Sequence, residues 1–231
     1  MLRIENLSFA YGEIKTLHQV NMLMEPKQIT CVMGRNGVGK TTLMKNIMGT
    51  LQTNSGKIWL TGRDVTHFPA NRRAKAGLAL VPQGRHIFPK LTVEENLRVG
   101  LEAREDRKRN IPDEVYNLFP ILKTMSRRCG GDLSGGQQQQ LAIARALVGE
   151  PKVILLDEPT EGIQPNIIEK IGDVLRTLVS EKDVAVVIVE QFLDFVKEFG
   201  NRFYIMNRGT VVADGITEEL TENLVTKHLQ V

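Results

Sequence analysis

Residues Met33 to Thr42 read Met-Gly-Arg-Asn-Gly-Val-Gly-Lys-Thr-Thr. They fit the phosphate-loop pattern G-x-x-x-x-G-K-[ST], with Gly34, Gly39, Lys40 and Thr41 in the defining places. A polyphosphate needs many donors converging on it, and backbone N–H groups are the densest source. Glycines let the chain curl so that successive N–H groups point inward. A helix begun right after the loop adds the positive end of its dipole. Lys40 offers a full charge to the β- and γ-phosphates, and the Thr41 hydroxyl offers a ligand to Mg²⁺.

Two further stretches could do chemistry beside it. Lys152-Val153-Ile154-Leu155-Leu156-Asp157-Glu158 is an apolar run ending in two acids. At the C-terminal end of a strand, such a pair sits where α/β sheets bind ligands. Asp157 would orient Mg²⁺ or its waters, and Glu158 could polarise an attacking water; the bland reading is a solvated turn. Asp132-Leu133-Ser134-Gly135-Gly136-Gln137 places an N-cap serine and two glycines at a helix start, a second, weaker anion site. Tyr11, at a strand end, could stack on a purine ring or be a plain core or surface tyrosine.

These residues need a parallel sheet to hold them. Gln28–Met33 reads as a buried strand before the glycine loop, and Leu43, Ile47 and Met48 give the following segment a helical apolar face. Leu78–Val81 and Val184–Val189 read as further buried strands, the second ending at Glu190-Gln191. Residues 2–33 and 50–62 read as strands and turns, with Trp59 as a packing residue. Pro69–Ala76 reads as a short helix stopped by Gly77. Thr92 and Glu95 form a capping box for a helix running to about Arg104, followed by a solvated charged loop, Glu102 to Asn110. Pro112 opens another helix, bent or broken by Pro120. Pro165 opens an amphipathic helix, Phe203–Ala213 reads as a hairpin, and the tail from Thr217 as helical. The expected class is α/β: a mostly parallel sheet with helices and an N-terminal antiparallel β subdomain. A helical lobe over about 85–145 is inserted between core segments 1–84 and 146–231, in one domain.

The 231 residues suffice for a sizeable core, and 42% hydrophobic with 25% charged residues is ordinary globular composition. A net charge of +3 is too weak to argue for nucleic acid. Cys31 and Cys129 stand far apart in no metal-like spacing, which fits a reducing compartment. The start carries an acid early, unlike a signal peptide, and the longest apolar runs are too short to cross a bilayer.

Together these motifs resemble the nucleotide-binding subunit of ATP-binding cassette (ABC) transporters, over essentially the whole chain. On that resemblance Gly34, Arg35, Asn36, Gly37, Val38, Gly39, Lys40, Thr41 and Thr42 form the Walker A loop, and Val153–Asp157 is Walker B. Glu158 is the catalytic glutamate, and Gln83 senses Mg²⁺ and the γ-phosphate. Ser134, Gly135 and Gly136 belong to the signature that covers a partner subunit's nucleotide, and Tyr11 stacks on adenine. Two positions depart from the family pattern: Gln191 stands where a histidine is usual, and Gln164 where an aspartate is usual. An amide can still donate to a phosphate oxygen but cannot become an imidazolium. Both replacements resemble the importer branch for branched-chain amino acids and urea or short amides. Gly34–Val38, Leu133–Gln140 and Glu161–Pro165 resemble the urea type most.

The resemblance implies an ATP- and Mg²⁺-dependent ATPase on the cytoplasmic face of the inner or plasma membrane. It would act as a homo- or heterodimer with transmembrane permeases and, indirectly, a solute-binding protein. The apolar residues Ile87, Phe88, Pro89 and Leu91, clustered just after Gln83, could form a groove for a permease helix or pack locally. DNA-repair relatives carry a long coiled coil between loop and signature. Roughly 90 residues without sustained heptads lie there in this chain, which argues against a nucleic-acid partner. A non-hydrolysing nucleotide switch is the other alternative.

Overall fold

The computed structural model describes residues 1–106 and 108–229. The chain opens with an antiparallel hairpin, β1 (Leu2–Tyr11) and β2 (Ile14–Met24), turned at Gly12. Leu2, Ile4, Leu7 and Phe9 of β1 are buried. The period of two slips between Ile4 and Leu7, where the register shifts and Asn6 adopts a φ of 50°. That bulge keeps both apolar pairs on the inner face. β3 (Ile29–Met33) is buried at every position, as a central strand must be. Cys31 within it is a packing residue, and burial pushes its thiol up to about 12.

Helix α1 (Lys40–Met48) follows, and then β4 (Ser55–Leu60) and β5 (Arg63–Asp64) join the hairpin in a sheet of order β2-β1-β4-β5. α2 (Ala70–Lys75) supplies Arg73, whose guanidinium is buried and donates to the carbonyls of Asn46 and Ile47 in the last turn of α1, and to Thr66 and Phe68. Burial pushes Arg73 down to about 10. A cation at the C-terminal end of α1 complements its dipole and fixes the helix whose other end is the glycine loop.

β6 (Leu78–Val81) leads into the helical segment: α3 (Val93–Gly100), α4 (Asp113–Leu118), α5 (Pro120–Thr124) and α6 (Gly135–Leu147). The rest alternates: β7 (Val153–Asp157), α7 (Pro165–Glu181), β8 (Ala185–Val189), α8 (Leu193–Phe199), β9 (Arg202–Asn207), β10 (Thr210–Ile216) and α9 (Glu222–Leu229). The second sheet has the order β10-β9-β3-β8-β7-β6, parallel except for β10 at the edge. Its two faces separate two cores. Val32, Val153, Leu155, Val187 and Val189 pack with α1 and the antiparallel sheet. Cys31, Met33, Ile154, Leu156, Val186 and Ile188 pack with α6, α7 and α8.

Both capping boxes stand where the sequence places them, Thr92 with Glu95 and Ser134 with Gln137. Pro120 separates α4 from α5. Three expectations need correction. α3 ends at Gly100, not near Arg104, and a 3₁₀ turn, Leu101–Ala103, continues it. Gly100 lies against the Arg145 carbonyl, where a Cβ would come within 2.1 Å. The charged stretch after it is not all solvated: Arg104 is buried between Asp106 and Glu150. Trp59 is half-buried on the outer face of β4, its indole Nε1 donating to Glu5 at 2.9 Å and its ring under Arg3 and Lys57. The helical segment also shares one apolar cluster with the sheet, since Val93, Leu97 and Leu141 pack with Val81 and Leu156.

Candidate nucleotide site

Four neighbouring strands, β3, β8, β7 and β6, end side by side. Their register places Val32 beside Val189, Val189 beside Asp157, and Leu156 beside Val81. The residues just past that row are therefore brought together: the glycine loop, Glu190-Gln191, Glu158 and Gln83. The C-terminal edge of a parallel sheet is where such folds bind ligands. Here a cavity of about 540 Å³ opens, lined by Asn36, Gly37, Gly39, Lys40, Thr41, Thr42, Gln83, Glu158 and Gln191, together with Thr16, Thr160, Glu161, Glu190 and Phe192.

The loop has the curl its glycines suggest. Gly39 holds a φ of 108°, and a Cβ there would meet the Thr16 carbonyl at 3.0 Å. Gly34 passes so close to the Met206 carbonyl that a Cβ would lie 2.6 Å from it. α1 starts with no side-chain cap and no acid in its first turn, so its leading N–H groups are free for an anion. Val38 packs inward, and the Arg35 side chain points to solvent; what Arg35 gives the site is its carbonyl.

Lys40 is 5% exposed, and its ammonium donates to the carbonyls of Gly34 at 2.7 Å and Arg35 at 3.0 Å. It lies 3.9 Å from Glu158 Oε1. Burial pulls the Lys40 pKa down, while Glu158, Asp157 and Glu190 pull it back up. Glu158 sits in the left-handed region with φ 49°, a strained place for a glutamate, and its N–H is held by the Val189 carbonyl at 3.0 Å. Its carboxylate is bracketed by amides: Gln83 Nε2 donates to Oε2 at 3.0 Å and Gln191 Nε2 to Oε1 at 2.7 Å. Gln83 Nε2 also reaches Glu161, and Gln191 Nε2 reaches Asn36.

Asp157 is buried, and its Oδ1 has no hydrogen-bond partner. Burial raises its pKa, against the opposing pull of the Thr41 hydroxyl. An orphaned carboxylate oxygen beside the Thr41 hydroxyl, at the end of a strand that only β8 separates from β3, fits a hard, oxygen-loving cation. Among the described residues no cluster of three His, Cys, Asp or Glu side chains could hold a metal by itself.

Three expected groups do not line this cavity, and the first is Asp157, which is buried at the end of β7. Tyr11, at the end of β1, is 47% exposed with its ring edge-on to Phe9, centroids 4.8 Å apart. Ser134, Gly135 and Gly136 open α6 and do not line the cavity. Thr16, Thr160 and Phe192 are not marked by the sequence as site residues, Glu161 only as the start of the stretch to Pro165, and Glu190 only as a strand end. The signal for Thr160 and Glu161 is their place just past the acidic pair, after Pro159; Thr16 gives none.

A family model described as ABC transporter matches residues 17–161. The chain belongs to that family. This ABC cassette is 38% identical over 214 residues to the high-affinity branched-chain amino acid transport ATP-binding protein BraG of Pseudomonas aeruginosa, covering 92% of the chain and 91% of the relative. It is 37% identical over 225 residues to the probable branched-chain amino acid transport ATP-binding protein LivF of Archaeoglobus fulgidus, covering 96% and 95%. A nucleotide-free ATP-binding cassette from an ABC transporter superposes with a TM-score of 0.83 at 26% identity, covering 100% of this chain and 95% of that one. A dimeric cassette bound to ADP and Pi in a post-hydrolysis state gives 0.83 at 26% identity, covering 94% and 99%. The α/β fold is that of ABC cassettes, and the chain is an ATPase of that family.

Proposed function

We infer that this cassette binds ATP with Mg²⁺ and powers an importer, with branched-chain amino acids or urea and short amides as cargo. The observation that carries the nucleotide reading is the convergence of the glycine loop, Asp157-Glu158, Gln83 and Gln191 at the ends of four adjacent strands. The loop N–H groups and Lys40 neutralise the phosphates. Thr41, Asp157 and Gln83 would hold Mg²⁺, which supplies charge neutralisation on the phosphate oxygens. Glu158 orients water in line, with Gln83 and Gln191 fixing its two oxygens. Tyr11, 47% exposed at the end of β1, is the platform for adenine.

The signature belongs to a second subunit's site. Ser134, Gly135 and Gly136 stand at the N-terminus of a 13-residue helix, which Ser134 caps, outside their own chain's cavity. A solved relative that is dimeric with ADP and Pi supports the same arrangement here, as homo- or heterodimer. Among the described residues no helix is long and apolar enough to cross a membrane. Contact with permeases, at the cytoplasmic face, falls to the helical lobe at about 85–145. There Phe88 is 44% exposed beside Pro89, with Ile87 and Leu91 half-buried behind them. A solute-binding protein would deliver the cargo.

The two relatives named for branched-chain amino acids support that cargo, and the resemblance of the loop, signature and post-Walker B stretches supports urea. The test is ATP turnover in proteoliposomes carrying the permeases and solute-binding protein encoded with this chain. Turnover should rise with leucine, isoleucine or valine, or else with urea or acetamide. Stimulation by neither set overturns the cargo reading, and absence of any phosphate release overturns the motor.

A further inference from the structure

Two loops leave the sheet side by side, 158–164 after β7 and 190–192 after β8. The acting groups are divided between them, Glu158 on the first and Gln191 on the second. Glu190, 3% exposed, stands where the loops meet. Its Oε1 accepts from the Thr160 amide at 3.1 Å and from the Thr160 hydroxyl. Its Oε2 accepts from the amides of Gln191 at 2.9 Å and Phe192 at 3.2 Å. Each oxygen thus serves one loop. Its own N–H donates to the Val32 carbonyl of β3 at 3.2 Å, which ties the junction to the strand feeding the glycine loop.

Only an acceptor-only group with two oxygens satisfies four donors in this way. A glutamine would turn an NH₂ toward one pair of N–H groups and leave that loop unheld. A carboxylate buried this deeply is tolerated because every neighbour donates to it. Glu158 is only one residue past β7 and sits in a strained dihedral, so its direction depends on how the chain beyond it is anchored.

We propose that Glu190 is a positioning residue that locks these loops together, so that Glu158 and the Gln191 amide keep their 2.7 Å contact and move as one unit. The proposal rests on the roles given above to Glu158 and Gln191. It predicts coupled behaviour, which a merely structural residue would not give.

The test uses the full chain with E190Q, T160V, Q191A and the E190Q/Q191A double variant. Amide hydrogen exchange read by mass spectrometry should show both segments, 158–164 and 190–192, exchanging faster in E190Q, with α1 unchanged. Losing charge-assisted bonds of this kind should lower kcat for phosphate release by about 10- to 100-fold, with KM for ATP moved less than about 3-fold. T160V, which removes only a hydroxyl, should move both readouts the same way by less, and it carries the test if E190Q does not fold. In the double variant the kcat losses should fail to multiply, because Glu190 acts through the same contact. Loosening of one loop alone, KM rising in step with the fall in kcat, or fully multiplicative losses would overturn the proposal. If instead E158Q turns over normally while E190Q still loosens both loops, the role of Glu158 fails and the lock stands.

Discussion

The side-chain amide of Gln191 lies 2.7 Å from Glu158 Oε1 and 2.8 Å from Asn36 Oδ1, donating to both. On the other side Gln83 donates to Glu158 Oε2 at 3.0 Å. Both oxygens of the proposed base therefore accept hydrogen bonds from uncharged amides, with the Lys40 ammonium 3.9 Å from Oε1. The bracket joins the ends of β6, β7 and β8 to the glycine loop. On the proposed function, a nucleotide entering the cavity would meet a carboxylate already held by two amides.

Replacing that base by its own amide should separate binding from chemistry. Glu158→Gln keeps the shape and removes the proton acceptor. ATP should bind with near wild-type affinity while phosphate release slows on the order of 10²-fold or more. With hydrolysis blocked, light scattering should show an ATP-bound dimer that persists. Turnover at the wild-type rate would remove Glu158 from the mechanism.

Gln191→His should write a new pH dependence into the enzyme. A neutral imidazole donates through one nitrogen only, so it can hold Glu158 or Asn36 but not both. Protonated, it donates through two. An unperturbed histidine titrates near about 6.5, and a neighbouring carboxylate moves it upward. The ratio of variant to wild-type kcat/KM should therefore follow a single-proton curve between about pH 6 and 8. A ratio flat across that interval would show that this position does not touch the reacting groups.

Much of this site was legible because it follows from short-range rules. A glycine loop between a buried strand and a helix, and an acidic pair at the end of a second buried strand, are local patterns with local causes. Glu190 was harder to read. Gln191 and Phe192 follow it directly, but Thr160 is brought to it by the pairing of β7 with β8, which no spacing in the sequence announces. Arg104 was misread for the same reason. Its run of charges looks solvated until Glu150, from beyond α6, is seen to hold it. Thr16 reaches the cavity only because β2 packs over the loop.

Ser134 offers a test of the shared site that leaves the phosphate cradle alone. Its hydroxyl caps α6 by accepting from the Gln137 amide, and it is exposed. Ser134→Arg puts a long cation where a second subunit's nucleotide would be covered. ATP affinity measured on the monomer should stay near wild type, while the ATP-dependent dimer seen by light scattering disappears and turnover falls with it. Full turnover in a variant that stays monomeric would mean that one chain completes its own site.

Asp157 ties stability to function with a sign that can be worked out. Burial raises its pKa above the ordinary 3.8, so the folded chain binds this proton more tightly than the unfolded one. Stability contributed here therefore falls as pH rises from 3.8 through the raised value, and the cost persists at neutral pH. Asp157→Asn removes that cost. The nucleotide-free variant should melt above wild type at pH 7 to 8, by about 2–4 °C for each kcal/mol relieved, and the gap should shrink as the pH is lowered toward 3.8. Addition of ATP with Mg²⁺ should reverse the order, because the cation satisfies the orphaned Oδ1 of the wild type and finds a poorer ligand in the amide. Calorimetry with and without Mg²⁺ reads both effects. If the variant melts lower than wild type at neutral pH without nucleotide, the Thr41 hydroxyl outweighs the cost of burial; if Mg²⁺ with ATP raises both melting temperatures equally, Asp157 is no longer a candidate metal ligand.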